Sequence, residues 1–237
     1  VSIAYDFKSK YKKLYDLISQ YTDDFDSLDQ KDLLSGNIDL PLNLLKPSKR
    51  FRNRDVLECN ACELRKHCKA PVLPTPGKYN VMVIGEASGI EEDEYGKGFI
   101  GKSGQRLWHE IGLYGYTRDF FHVSNVNKCY PGKKIKNPDR KHVEKCRKWL
   151  DEEIRNVQPF LILALGNANV KFFTDKDTGI MKKTDEIGAE WNEEYGAWLC
   201  FCLHPASTLY NAENNALFEK GIKNFCEKLK NLGEVPF

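Results

Sequence analysis

Val81-Met82-Val83-Ile84-Gly85-Glu86-Ala87-Ser88-Gly89-Ile90-Glu91-Glu92-Asp93 is the stretch on which the reading of this chain turns. Four apolar residues that stop at a glycine are too short for an amphipathic helix and suit a strand buried on both faces. Similar runs occur at Phe120–Val126, Phe160–Leu165 and Trp198–Leu203, with helical segments between and after them. One segment follows Ser103, with Leu107 and Ile111 on its face. Another follows Asn137-Pro138, read as a cap and a first-turn proline, and carries Val143, Cys146, Leu150, Ile154 and Val157 at steps of three and four. A short one covers residues 167–173, and the last, from about Glu213, carries Leu217, Ile222, Phe225 and Leu229. Strand alternating with helix predicts an α/β fold, a mainly parallel sheet covered by helices on both faces.

Such sheets bind ligands beyond the carboxyl ends of their strands. The first run is followed by Gly85, the acids Glu86, Glu92 and Asp93, and then Gly96, Gly98, Phe99, Gly101 and Gly104. Ser124-Asn125-Val126-Asn127-Lys128-Cys129 follows the core of the second, and His204-Pro205-Ala206-Ser207 follows the fourth. Each alone is ordinary turn chemistry. Together they place acids, an amide, an aromatic and a histidine on one rim.

The chain has 237 residues, 41% of them apolar and 12% aromatic, which excludes a disordered polypeptide and fits one large domain with an appendage. The apolar run Phe160–Leu165, like every other in the sequence, is far short of the roughly 20 residues that span a bilayer, and no basic-then-apolar leader opens the sequence. An intracellular protein is expected, cytoplasmic or nucleoid-associated. The formal charge of +2 conceals a division. Residues 1–40 hold five Lys against eight Asp, whereas 46–69 hold eight basic residues against three acidic and 128–148 hold nine against two. Two basic segments predict one positive face, the footprint of a phosphate-backbone partner. Phe7, Tyr11, Leu14, Ile18 and Tyr21 form a helical stripe, so residues 1–50 read as a helical, acidic appendage that docks on the body or on a partner, and 51–237 as the main domain.

Of eight cysteines, Cys59 and Cys62 form a C-x-x-C, and Cys129 and Cys146 come from a strand-end loop and a helix. Those four suit either zinc or an iron–sulfur cubane, and spacing does not separate the two. Cys68, Cys200, Cys202 and Cys226 read as small packing residues.

Gly85-Glu86-Ala87-x-Gly89-x-x-Glu92-Asp93 with Gly96-x-x-Phe99-Ile100-Gly101-Lys102-x-Gly104 resembles the first motif of the family 4, iron–sulfur uracil-DNA glycosylases. Asn125-Val126-x-Lys128-Cys129, Leu165-Gly166-x-Ala168 and His204-Pro205-Ala206 resemble its later motifs, in order, over about residues 55–230. The resemblance implies a three-layer α/β/α domain on a four-stranded sheet and a [4Fe–4S] cluster on Cys59, Cys62, Cys129 and Cys146, with zinc as the lesser alternative. It implies hydrolysis of uracil from DNA. Gly85, Ala87, Phe99, Asn125 and His204 would bind the base, and Glu86, Glu92, Asp93, Asn125 and His204 would act in catalysis. Lys128, Lys133, Lys134, Lys136, Arg140 and Lys141 would meet phosphates, with Ser207 and the wedge Leu209 also on DNA. Ser88 and Gly98 stand where the family has proline. The alternative is a glycosylase-like DNA-holding subunit of a replication or repair assembly, with residues 1–50 as its docking arm.

Overall fold

The apolar runs form the strands β1 (Val81–Ala87), β2 (His122–Asn127), β3 (Leu161–Leu165) and β5 (Ala197–Cys202), with a short β4 at Glu190–Asn192. The computed structural model describes residues 54–133, 135, 138–174, 179–186 and 188–232, all but Leu232 within one compact unit spanning 45–231. The appendage expected over residues 1–50, with its stripe from Phe7 to Tyr21, lies outside the described residues.

The sheet order is β2-β1-β3-β5-β4. β2, β1, β3 and β5 are mutually parallel, as expected, and β4 adds a fifth, antiparallel edge strand that the four-stranded expectation lacks. β4 escapes sequence pattern because Glu190-Trp191-Asn192 is half-buried throughout and has no apolar run. Val81, Met82, Val83, Ile84 and every residue of β3 are fully enclosed, which is why these strands read as unbroken apolar runs rather than alternating ones.

The helices are α1 (Ile90–Tyr95), α2 (Lys102–Gly112), α3 (Arg140–Val157), α4 (Asn167–Phe173), α5 (Ile180–Glu186), α6 (Ala206–Tyr210) and α7 (Asn214–Leu232). On one face α3 packs beside α4, where Arg147 Nη2 donates to Phe172 O at 2.8 Å. On the other, Phe121 meets Trp108 of α2 and Phe225 of α7 at ring-centroid distances of 6.2 and 5.9 Å. In α7 the rings of Phe218 and Phe225 are both fully buried, while Leu217 is half-buried. The free edge of β2 is covered by an extended segment in which Thr75 and Val123 exchange backbone hydrogen bonds at 2.9 Å.

One helix start differs from the sequence reading. The cap of α3 is Asp139, two residues after Asn137: its carboxylate accepts from His142 N at 3.1 Å, and His142 Nδ1 accepts from Asp139 N at 3.2 Å. This reciprocal box satisfies two otherwise orphaned amides, so a first-turn proline is not needed to start the helix.

Candidate active site and cysteine pocket

The strand order reverses at β1, and there residues of the loops beyond β1 and β5 meet the end of β2. Gly85 of β1 pairs in register with Asn125 of β2. A side chain on Gly85 would collide with the side-chain amide oxygen of Asn125 and lie 2.5 Å from the tip of the Phe99 ring, so glycine is what lets those two groups close over the strand end. Phe99 is 5% exposed and stacks on the His204 imidazole, with ring centroids 5.9 Å apart and planes inclined by 29°. Asn125 is also 5% exposed, and its amide has no hydrogen-bond partner among the described residues.

Phe99 has φ of +54°, a left-handed conformation that costs a non-glycine residue of order 1 kcal/mol or more. Three groups hold it there. Trp108 Nε1 donates to Phe99 O at 2.9 Å, Arg118 Nη2 donates to Gly98 O at 2.8 Å, and one carboxylate oxygen of Glu92 accepts from both Ile100 N and Gly101 N at 2.9 Å. Gly104 lies so close under the Phe99 carbonyl that no side chain fits.

The acids of the first motif therefore separate. Glu92, buried, is committed to the loop carrying Phe99, and Asp93 accepts from Lys69 N at 2.9 and 3.1 Å, tying α1 to the segment after the C-x-x-C. Both carboxylates thus brace the loops around the strand end through backbone amides. Glu86 is half-buried, accepts from Ala168 N at 2.9 Å with Oε1, and has no partner on its other oxygen among the described residues. Its side chain lies over Gly166, whose φ of +84° and lack of Cβ make room for it. Ala87 is half-buried on the same strand end.

His204 Nδ1 accepts from Ala206 N at 3.3 Å, which in the neutral ring puts the proton on Nε2. Burial pushes its pKa below the ordinary value, against the opposing pull of Glu86 and Glu92. The neutral ring is thus a donor through Nε2–H.

Lys128 is not a surface residue. It is 3% exposed, and Nζ donates to Glu153 Oε2 and to Ser124 Oγ, both at 2.7 Å; Glu153 also accepts from Ser124 Oγ at 3.0 Å and from His122 Nε2 at 2.9 Å. The phosphate-contact reading of Lys128 is corrected accordingly: a buried ammonium needs a buried counter-charge, and Glu153 supplies it. Burial pushes the Glu153 carboxyl up, but Lys128 and His122 outweigh it and hold it down at about 2. Lys133 and Lys141 are exposed, and Arg140 is half-buried at the start of α3. Lys134 and Lys136 lie outside the described residues. Leu209 is 49% exposed, and the enclosed Ser207 hydroxyl has no partner among the described residues.

Cys59, Cys62, Cys129 and Cys146 line one pocket with Leu64, Pro71 and Trp149. Cys146 is half-buried and opens into it, and its Sγ accepts from Lys128 N at 3.5 Å. Burial pushes the Cys146 thiol up to about 11 and, with the neighbouring Cys68 thiol, also raises Cys129. Cys68 is buried beside Leu64, as expected of a packing residue, though it packs on a member of the pocket. Among the described residues no three His, Cys, Asp or Glu side chains form a set that holds a single metal ion as they stand.

Sequence comparison decides which family this arrangement belongs to. The family described as the uracil DNA glycosylase superfamily matches residues 73–230. A type-4 uracil-DNA glycosylase of Pyrobaculum aerophilum is 31% identical over 176 residues, covering 72% of this chain and 89% of the relative. The chain belongs to the uracil DNA glycosylase superfamily. Type-4 uracil-DNA glycosylases of Sulfurisphaera tokodaii and Thermotoga maritima are each 28% identical, over 77% and 67% of this chain and 83% and 82% of theirs. Within this glycosylase fold, sequence motifs located Gly85, Phe99, Asn125 and His204 but missed the residues that hold them. Asn169 is the clearest case: fully buried, its Nδ2 reaches the carbonyl oxygens of Leu165, Ile84 and Gly85 at 2.7, 3.0 and 3.2 Å, splinting β1 to β3 where they part. Its place directly after Leu165-Gly166-x-Ala168 is the only sequence signal for it. Arg118, Trp108 and Glu153 carried none. No described helix is long and apolar enough to cross a membrane.

Proposed function

We propose that the protein excises uracil from DNA, hydrolysing the N-glycosidic bond and leaving an abasic site. The observation that carries this reading is the convergence of Gly85, Phe99, the unpartnered Asn125 amide and His204 on one strand-end rim. A base in a duplex is out of reach of such a pocket and must be rotated out, at a cost of a few kcal/mol. Phe99 stacks on the flipped ring. Asn125 reads its polar edge, donating to a uracil oxygen and accepting from the ring N–H; cytosine presents an amine where uracil has that oxygen. As the bond between N1 and C1′ breaks, its electron pair leaves with the uracil, and Nε2–H of neutral His204 donates to the oxygen where that charge collects. The free oxygen of Glu86 orients the water that adds to the cationic C1′.

Cys59, Cys62, Cys129 and Cys146 are the residues we assign to a [4Fe–4S] cluster. Four thiols that share a pocket without converging on one point suit a cubane, with one iron per thiolate, better than a single tetrahedral zinc. Bound there, the cluster supplies cross-linking of the segment before β1 to β2 and α3. Lys133, Lys134, Lys136, Arg140 and Lys141 are assigned to DNA phosphates, Ser207 to a DNA contact and Leu209 to the wedge. Residues 1–50 are assigned to a replication or repair protein, on their excess of Asp over Lys and their aromatic stripe.

The test is alkaline cleavage of a uracil-containing single strand against its thymine control. Uracil-dependent cleavage that falls by about 10²–10³ in Asn125→Ala or His204→Ala is expected. No cleavage by protein carrying its iron would overturn the reading.

A further inference from the structure

Helix α6 turns its small and polar residues inward. Thr208 is 8% exposed, with Ala206 and Ser207 half-buried, whereas Leu209 and Tyr210 stand in solvent at 49% and 89%. A surface helix ordinarily does the reverse. The other exposed large apolar residues, Leu57, Ile90, Tyr95, Leu113 and Met181, each stand apart in the chain, and single ones need no explanation. Leu209 and Tyr210 are adjacent, and Tyr210 is the most exposed of the set.

The helix that carries them is fixed to His204. Ser207 N donates to His204 O at 2.9 Å, Thr208 Oγ1 to Pro205 O at 2.8 Å, Asn211 N to Ser207 O at 3.0 Å, and Asn214 Nδ2 to that same carbonyl at 3.3 Å. The backbone that carries Tyr210 is thus tied to the backbone of His204. Tyr210 ends the short helix that begins two residues after His204, and the helix itself advances only about 1.5 Å per residue, less than half a base-stacking step of about 3.4 Å.

We propose that Tyr210 is a nucleobase-stacking subsite for the DNA strand beside the flipped uracil, an inference that rests on the excision reading above. The phenol ring offers a flat face, and every base presents a face to match, so the subsite tolerates any flanking sequence. Leu209, one residue nearer His204, fills the space the uracil vacates, and Tyr210 takes a neighbouring base. In a duplex that base is already stacked between neighbours. In a single strand it is not, so the subsite favours single-stranded substrate.

Binding of a uracil-free oligonucleotide, single-stranded and as its duplex, tests this without any catalytic step. Tyr210→Ala is expected to raise the single-strand Kd about tenfold and the duplex Kd by about threefold or less, while Tyr210→Phe changes neither. Tyr210→Trp adds fluorescence that single-stranded DNA quenches, and Leu113→Trp, on an exposed residue outside the site, adds fluorescence that it does not. Tyr210 is too exposed for misfolding to explain a loss. An unchanged single-strand Kd in Tyr210→Ala, a loss as large in Tyr210→Phe, or equal losses on both DNA forms overturns the proposal. Uracil release with an unchanged Tyr210→Ala Kd refutes the subsite alone. Absence of uracil release with the Kd loss intact refutes the excision reading and leaves the base-stacking surface.

Discussion

One oxygen of Glu92 receives two backbone amides from the loop that carries Phe99, so this carboxylate acts by shape as much as by charge. Glutamine presents an oxygen in the same place. Glu92→Gln is therefore expected to keep uracil release within about tenfold of the parent, whereas Glu92→Ala frees the loop and lowers it by about 10²-fold, the scale of a small misplacement at the reacting centre. Equal losses in both, measured as kcat on a uracil-containing single strand, would mean that the charge of Glu92, and not its shape, serves the reaction. Gly85 is the complementary case. The atoms a Gly85→Ala methyl meets are ends of side chains, Asn125 Oδ1 and the Phe99 ring, which move at less cost than backbone. Thermal melts of Gly85→Ala are expected close to those of the parent, with uracil release down by about 10²-fold. A large drop in melting temperature would mean the methyl displaces strand β1 instead.

At the scale of elements, β2 turns two chemistries to opposite faces. His122 and Ser124 meet Glu153 of α3, while Val123 and Asn125 face the side on which Phe121 meets α2 and α7. Glu153 and Cys146 lie on the same helix, and Lys128 offers its Nζ to the one and its backbone N–H to the other. The buried ion pair thus fixes the register of α3 on β2, and with it the separation of Cys129 from Cys146. Glu153→Met strands the Lys128 charge and is expected to cost about 3–5 kcal/mol in chemical denaturation, most of it recovered in the double variant Lys128→Met/Glu153→Met. Because the folded carboxyl titrates at about 2, below its ordinary value of 4.5, its stabilisation is complete above about pH 4.5 and is lost as pH falls toward 2. The gap between parent and Glu153→Met melting temperatures should accordingly narrow on acidification. A constant gap from neutral pH to pH 3 would show that the pair does not carry the stability.

For the whole molecule, the near-neutral total charge leaves DNA binding to position. Lys133 is exposed and Lys128 is enclosed, though both belong to the same basic segment. Lys133→Ala is expected to lower the slope of log Kd against log salt by about one, as one phosphate contact is lost, and Lys128→Met to leave that slope unchanged while lowering stability. A Lys128→Met protein that stays stable but loses salt dependence would reverse the assignment.

The sequence by itself determined the four parallel strands, the rim residues Gly85, Asn125, Phe99 and His204, and the pairing of a C-x-x-C with two distant cysteines. Fully enclosed parallel strands leave long apolar runs, and strand-end glycines leave motifs, so both are written locally along the chain. Only the tertiary structure decided which charged groups were available for chemistry. Lys128 and Lys133 look alike in a basic run, and Glu86, Glu92 and Asp93 look alike in an acidic one, yet each is distinguished by what the fold brings against it. The amides on Glu92, Asp93 and Glu86 come from residues up to 82 positions away, and the Glu153 that neutralises Lys128 lies 25 positions on. A side chain's charge is local, but its partner is set by packing between distant segments, and no spacing within the sequence encodes that.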